Sequence, residues 1–93
     1  MPKFLIEVPH EAEQIACARA VKTLLNTGSH FLTKADFGCH DGVHNAWITV
    51  DVENKEAARA ILPPQDRPKA KIVKLNKFSL EELDELLKDH QGK

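Results

Sequence analysis

Three of the five histidines in this 93-residue chain, and one of its two cysteines, fall between positions 30 and 44 as His30, Cys39, His40 and His44. Imidazole nitrogen and thiolate sulfur are ligands for zinc, nickel and other borderline transition metals. A further histidine, His10, follows an early alternating run, "KFLIEVPH".

Spacing divides these residues into two groups. If 30–40 is a strand rising about 3.3 Å per residue, His30 and His40 lie about 33 Å apart and share no ion. The first group gathers His10 and His30 with Glu7, Asp51 and Glu53, where strand 1 is expected to end and strand 2 to begin. The second lies at a hairpin tip, where Cys39 and His44 oppose each other with His40 and Asp41 in the turn. Two ligands fall short of a tetrahedral site. The alternatives are a polar rim for the first group, and a small buried cysteine beside exposed turn histidines for the second. The first group is favoured. It predicts that nickel or zinc binds at pH 7.5, weakens towards pH 5.5 as imidazole protonates, and is lost in His30→Ala. Loss in Cys39→Ser would move the site to the hairpin tip.

The elements that position these residues follow from periodicity. "KFLIEV" (3–8) alternates as a strand, with Phe4, Ile6 and Val8 on one face and Leu5 and Glu7 on the other. From Glu11 to Asn26, Ile15, Ala18, Val21, Leu24 and Leu25 recur at helical spacing before Gly28. Two alternating runs, 30–40 and 43–53, flank Asp41-Gly42, the signature of a two-residue type I′ hairpin turn. That turn pairs Phe37 with Ala46, Ala35 with Ile48, Thr33 with Val50 and Phe31 with Val52 on the core face. The opposite face pairs Asp36 with Trp47, Lys34 with Thr49 and Leu32 with Asp51. A helix over 54–62 has Asn54 as its N-cap, "KAKIVKL" (69–75) is a strand, and a last helix over 79–90 opens with a Ser79/Glu82 capping box. The βαββαβ order with a C-terminal helix is the ferredoxin-like α+β pattern. It predicts one domain over 1–93 and a four-stranded antiparallel sheet of order 4-1-3-2.

Composition fits a soluble globular chain, with 42% hydrophobic and 29% charged residues and a net charge of −1. That balance argues against general nucleic-acid or membrane-surface binding. No apolar run approaches the roughly 18 residues of a membrane span. The start lacks the apolar core of a signal peptide, and two cysteines without a CxxC pair make no disulfide framework. A reduced cytoplasmic protein is expected. Arg67, Lys69, Lys71, Lys74 and Lys77 read as edge-strand charges that block strand pairing. RNA-recognition modules share the element order, but only Trp47 offers an aromatic on the open face.

The element order and "AWITVDVENKEAARAIL" resemble the dimeric α/β-barrel superfamily, in particular muconolactone isomerase-type proteins. Lys3-Phe4, His10 and His30-Phe31 are similar to the opening-strand and second-strand residues of small nickel-binding barrel proteins. The first resemblance implies a homodimer with two sheets face to face, which would also cover the mixed face of Leu5, Leu32 and Trp47. Such a dimer predicts monomers from Trp47→Glu. The second implies a divalent transition metal, Ni or Zn, at histidine. Two functions follow: a ligand- or metal-binding barrel, or a cofactor-independent enzyme of isomerase or monooxygenase type. For a small molecule the pocket would be Glu7, Lys34, Asp36, Trp47 and Thr49, with Glu7 or Asp36 as general base and Lys34 as electrostatic partner. The metal ligands would be drawn from His10, His30, Cys39 and His44.

Overall fold

The computed structural model describes residues 1–91. The chain runs β1 (Lys3–Pro9), α1 (Gln14–Asn26), β2 (Asp36–Phe37), β3 (Asn45–Asp51), α2 (Lys55–Ala60), β4 (Lys71–Leu75) and α3 (Leu80–Gln91). The strands form one antiparallel sheet of order β2-β3-β1-β4, the expected order read from its other edge. Alternation in β1 turns Phe4, Ile6 and Val8 to one face, where Ala46, Ile48 and Val50 of β3 and Ile72 of β4 join them. Leu24 of α1, Ala58 of α2 and Leu62 just beyond it close the core over that face. Each of the larger of these side chains (Phe, Leu, Ile, Val), fully buried, contributes about 1.5–3 kcal/mol.

Local chemistry fixes the helix starts. The Glu13 carboxylate accepts the backbone N–H groups of Ile15 and Ala16, so α1 begins after it rather than at Glu11. These two bonds, that from Ala16 foremost, hold the Glu13 carboxyl below its usual range. Asn54 accepts the Ala57 N–H at the head of α2, and Ser79 Oγ accepts the Glu82 N–H at the head of α3.

Three expectations are corrected. The run 30–40 is not one strand: β2 is only two residues long, and Leu32–Lys34 form a 3-10 turn. Ser29 Oγ accepts the N–H groups of Phe31 and Leu32, and Thr33 Oγ1 donates to the His30 carbonyl, so local hydroxyls take the place of ladder partners. Leu32 is therefore buried and Phe31 exposed, the reverse of the strand parity.

The hairpin keeps its register, with Phe37 opposite Ala46 and Asp36 opposite Trp47. Its turn, however, is not type I′. Cys39–Asp41 make a 3-10 turn that Gly42 ends at φ 81°, the left-handed conformation glycine adopts without steric cost.

Finally, α1 is rotated from the expected stripe. Cys17 and Leu24 are buried, whereas Ile15 and Leu25 are exposed.

β4 is an edge strand, with Lys71 and Lys74 exposed along it. Arg67 does not join this edge. Its guanidinium donates to the Leu62 and Ala60 carbonyls at the end of α2, while Arg59 donates to the Arg67 and Ala70 carbonyls. These bonds pin the α2–β4 connection.

Candidate metal centre

Sheet register builds the site. Pro9 pairs with Asn45, and the ladder continues one step further, where the His10 N–H donates to the His44 carbonyl at 3.0 Å. By alternation His10 lies on the face of Val8, and His44 on that of Ala46, at the end of the helix-covered core. Their rings meet edge to face, with centroids 5.7 Å apart. Cys39 opens the 3-10 turn that follows β2, and its sulfur reaches His10 Nε2 from there. Cys17 comes down from the first turns of α1. One donor atom from each of His10, Cys17, Cys39 and His44 lies within 4.8 Å of all the others.

The contacts are close. His10 Nε2 lies 3.0 Å from Cys39 Sγ and 3.2 Å from Cys17 Sγ, and the two sulfurs are 2.9 Å apart. Both cysteines are free thiols. His44 Nδ1 is the one buried side-chain polar atom without a hydrogen-bond partner among the described residues. A buried polar atom without a partner costs about 1–3 kcal/mol, which a bound ligand can repay.

Two thiolates and two imidazoles are a donor set suited to a tetrahedral zinc-class ion. With metal–sulfur bonds of about 2.3 Å, a tetrahedron places its sulfurs about 3.8 Å apart, so holding such an ion would require these sulfurs to spread by about 0.9 Å. The charges also suit it. Two thiolates neutralise a divalent ion, leaving no net charge in a part-buried site. Burial, the hydrogen bond to Cys39 and the charge that a Cys39 thiolate would carry all act on Cys17. The hydrogen bond is the largest effect, and together they push the thiol above its ordinary value. Cys17 is thus protonated near neutrality without metal, and ion binding must release its proton.

The hairpin that carries Cys39 is itself braced. The Val43 and Asp41 N–H groups donate to the Gly38 carbonyl. A Cβ at Gly38 would stand 2.7 Å from the Val43 carbonyl oxygen and 2.8 Å from the Trp47 ring. Gly38→Ala is therefore expected to displace the Cys39 loop and weaken metal affinity at least about tenfold, a loss calorimetry would register. Gly42→Ala meets no atom within 4 Å and carries only its backbone strain, about 1–2 kcal/mol.

His10 carries a pH dependence. Burial foremost, then His44 and Lys69, hold its pKa below the ordinary value against a smaller opposing pull from Asp66. The unfolded chain therefore takes up this proton first as pH falls. Stability of the ion-free protein is expected to be full above about pH 7 and to decline as pH drops through 6.5 towards the lower folded value. Urea midpoints at pH 7.5 and 5.5 measure this, and His10→Gln should flatten the difference.

Comparison of the chain with protein-family models, curated proteins and solved structures found no match.

Of the ligands expected from sequence, the structure brings His10, Cys39 and His44 together and leaves His30 apart. His30 lines a depression of about 220 Å³ with Phe31, Lys34, Thr49, Val50 and Asp51, at the far end of β3. That is about 20 Å from His44 along the strand. The expected grouping of His10 with His30 fails on strand direction. β1 and β2 both run antiparallel to β3, so the end of β1 lies beside the end of β2 and the start of β3. Cys17 was not in the expected set at all. Its signal was the helical series 17, 21, 24, which shares a face with the core.

The expected small-molecule pocket is divided. Asp36, Trp47, Glu7 and Lys71 form one row across the four strands. Lys34 and Thr49 belong instead to the depression around His30. Asp36 also borders a larger cleft of about 970 Å³, lined by Val21, Leu25 and Phe37 and floored by Cys17, Cys39 and His44. Glu7 and Trp47 line neither.

Proposed function

We propose that this chain is a small α+β metal-binding protein that holds one divalent transition-metal ion, zinc by preference, at His10, Cys17, Cys39 and His44. The convergence of four soft and borderline donors from four separate segments supports this above all. The end of β1, the start of α1, the β2–β3 loop and the start of β3 each supply one ligand. An ion there clamps the hairpin and helix to the sheet. Tetrahedral sulfur–nitrogen coordination favours zinc over nickel, and the thiol ligands suit a reducing compartment such as the cytoplasm. No helix among the described residues is long and apolar enough to cross a membrane.

Cobalt(II) substitution tests the reading. The site should give intense visible ligand-field bands and near-ultraviolet thiolate-to-metal charge transfer. A weak octahedral spectrum without thiolate bands would contradict it.

We also propose a homodimer, built on α3 rather than sheet to sheet as the barrel resemblance implies, since Leu32 of the expected sheet face is buried in the core. α3 leaves its apolar stripe uncovered, with Leu80 81%, Leu86 57% and Leu87 49% exposed, beside Phe78 at 68%. The molecule measures 57 Å along its longest axis, with a radius of gyration of 17.3 Å against about 12 Å for a compact chain of this length. The occupant that fits is another copy of this chain. The acids of α3 (Glu81, Glu82, Asp84, Glu85) complement the lysines at β4 (Lys71, Lys74, Lys77). Light scattering at micromolar concentration should show a dimer, and Leu86→Glu with Leu87→Glu a monomer of unchanged circular dichroism. A wild-type monomer would end the dimer proposal.

A further inference from the structure

We infer that Cys17 and Cys39 form a peroxide-sensitive pair whose oxidation to a disulfide expels the bound ion. This goes beyond the proposed metal site while resting on it for the ion's release. The argument starts from the 2.9 Å between the two sulfurs. A disulfide requires about 2.05 Å and a shared tetrahedral ion about 3.8 Å. The pair stands about 0.9 Å from each, so either state is reached by a small movement. The two states exclude each other, because sulfurs drawn together in a disulfide cannot both remain thiolate ligands. His10 and His44 alone then hold the ion too weakly to retain it.

Access and mobility give the two cysteines different parts. Both border the open 970 Å³ cleft, which admits a molecule as small as hydrogen peroxide. Cys17 is buried in the first turns of α1, while Cys39 is half-exposed in the 3-10 turn between Gly38 and Gly42. The Cys39 thiolate is thus the group that attacks. Its sulfur bonds to one peroxide oxygen, the O–O bond breaks, and hydroxide leaves, giving a sulfenic acid. The Cys17 thiolate then attacks the Cys39 sulfur and displaces a second hydroxide. Two thiolates are oxidised by two electrons and one peroxide is reduced to two hydroxides. The departing divalent ion balances their charge.

Oxidation of the zinc-loaded protein with hydrogen peroxide, followed by intact mass, peptide mapping and a chromogenic zinc chelator, tests the inference. The expected product is two hydrogens lighter and crosslinked Cys17 to Cys39. It should release one zinc per disulfide, and dithiothreitol should restore binding. The same oxidation of ion-free protein separates this inference from the metal site itself. A crosslink in a chain that never binds zinc would overturn the metal reading and the expulsion step while leaving the disulfide pair. Zinc binding with oxygen added at Cys39 and no crosslink, loaded or ion-free, would overturn the pair and leave the metal site. A crosslink that leaves zinc bound would overturn the expulsion.

Discussion

Stripping the ion from the loaded protein is expected to lower its melting temperature by about 15–30 °C. An ion that binds only the folded chain stabilises it by RT ln(1 + [L]/Kd), about 4.1 kcal/mol when free metal is a thousandfold above Kd. In a domain of 60–100 residues each kcal/mol moves the midpoint by about 4–8 °C. The effect is large because a bound ion would tie the β2–β3 loop and the start of α1 to the end of β1. β2 has only two residues, and the loop that follows it carries Cys39. Differential scanning calorimetry with and without a chelator measures the shift. A midpoint unchanged by chelation would mean that the four donors hold no ion that matters to the fold.

Cys17→Ser is expected to weaken zinc binding by about 10²–10³-fold, whereas His30→Ala should leave it unaltered. A structural zinc site of four ligands is worth roughly 10–16 kcal/mol at neutral pH, so one ligand carries about a quarter of it. At 1.4 kcal/mol for each factor of ten, that share gives the stated loss. The serine hydroxyl is close to isosteric but far less acidic than a thiol, so the fold should persist while the anionic ligand is lost. Competition titrations against a chelator of known affinity resolve the two variants. If His30→Ala weakened binding and Cys17→Ser did not, the site would lie at the far end of β3.

Much of this arrangement is legible from residue order. Alternation in "KFLIEV" and "AWITV" gives β1 and β3, and the helix caps Asn54 and Ser79 read directly, because each rests on a local hydrogen bond. Parity also carries Ala46 to His44, and hairpin order keeps Cys39 close to it, although a 3-10 turn rather than strand alternation places Cys39. The same logic carries Val8 to His10, and the antiparallel pairing of β1 with β3 then sets His10 beside His44. Cys17 is harder to read. Its contribution depends on the rotation of α1 against the sheet, which tertiary packing decides and which a stripe through Ile15 and Leu25 misplaces. The short β2 was hidden for another reason. The apolar alternation of 31–37 suits a strand, but Ser29 and Thr33 offer the backbone closer partners and bend it into a turn.

X-ray absorption at the metal edge of the zinc-loaded protein tests the central claim most directly, because it counts the atoms bound to the ion. The proposed site predicts two sulfurs at about 2.3 Å and two imidazole nitrogens at about 2.0–2.1 Å. A shell of nitrogen and oxygen alone would contradict it, since neither Cys17 nor Cys39 would then be a ligand.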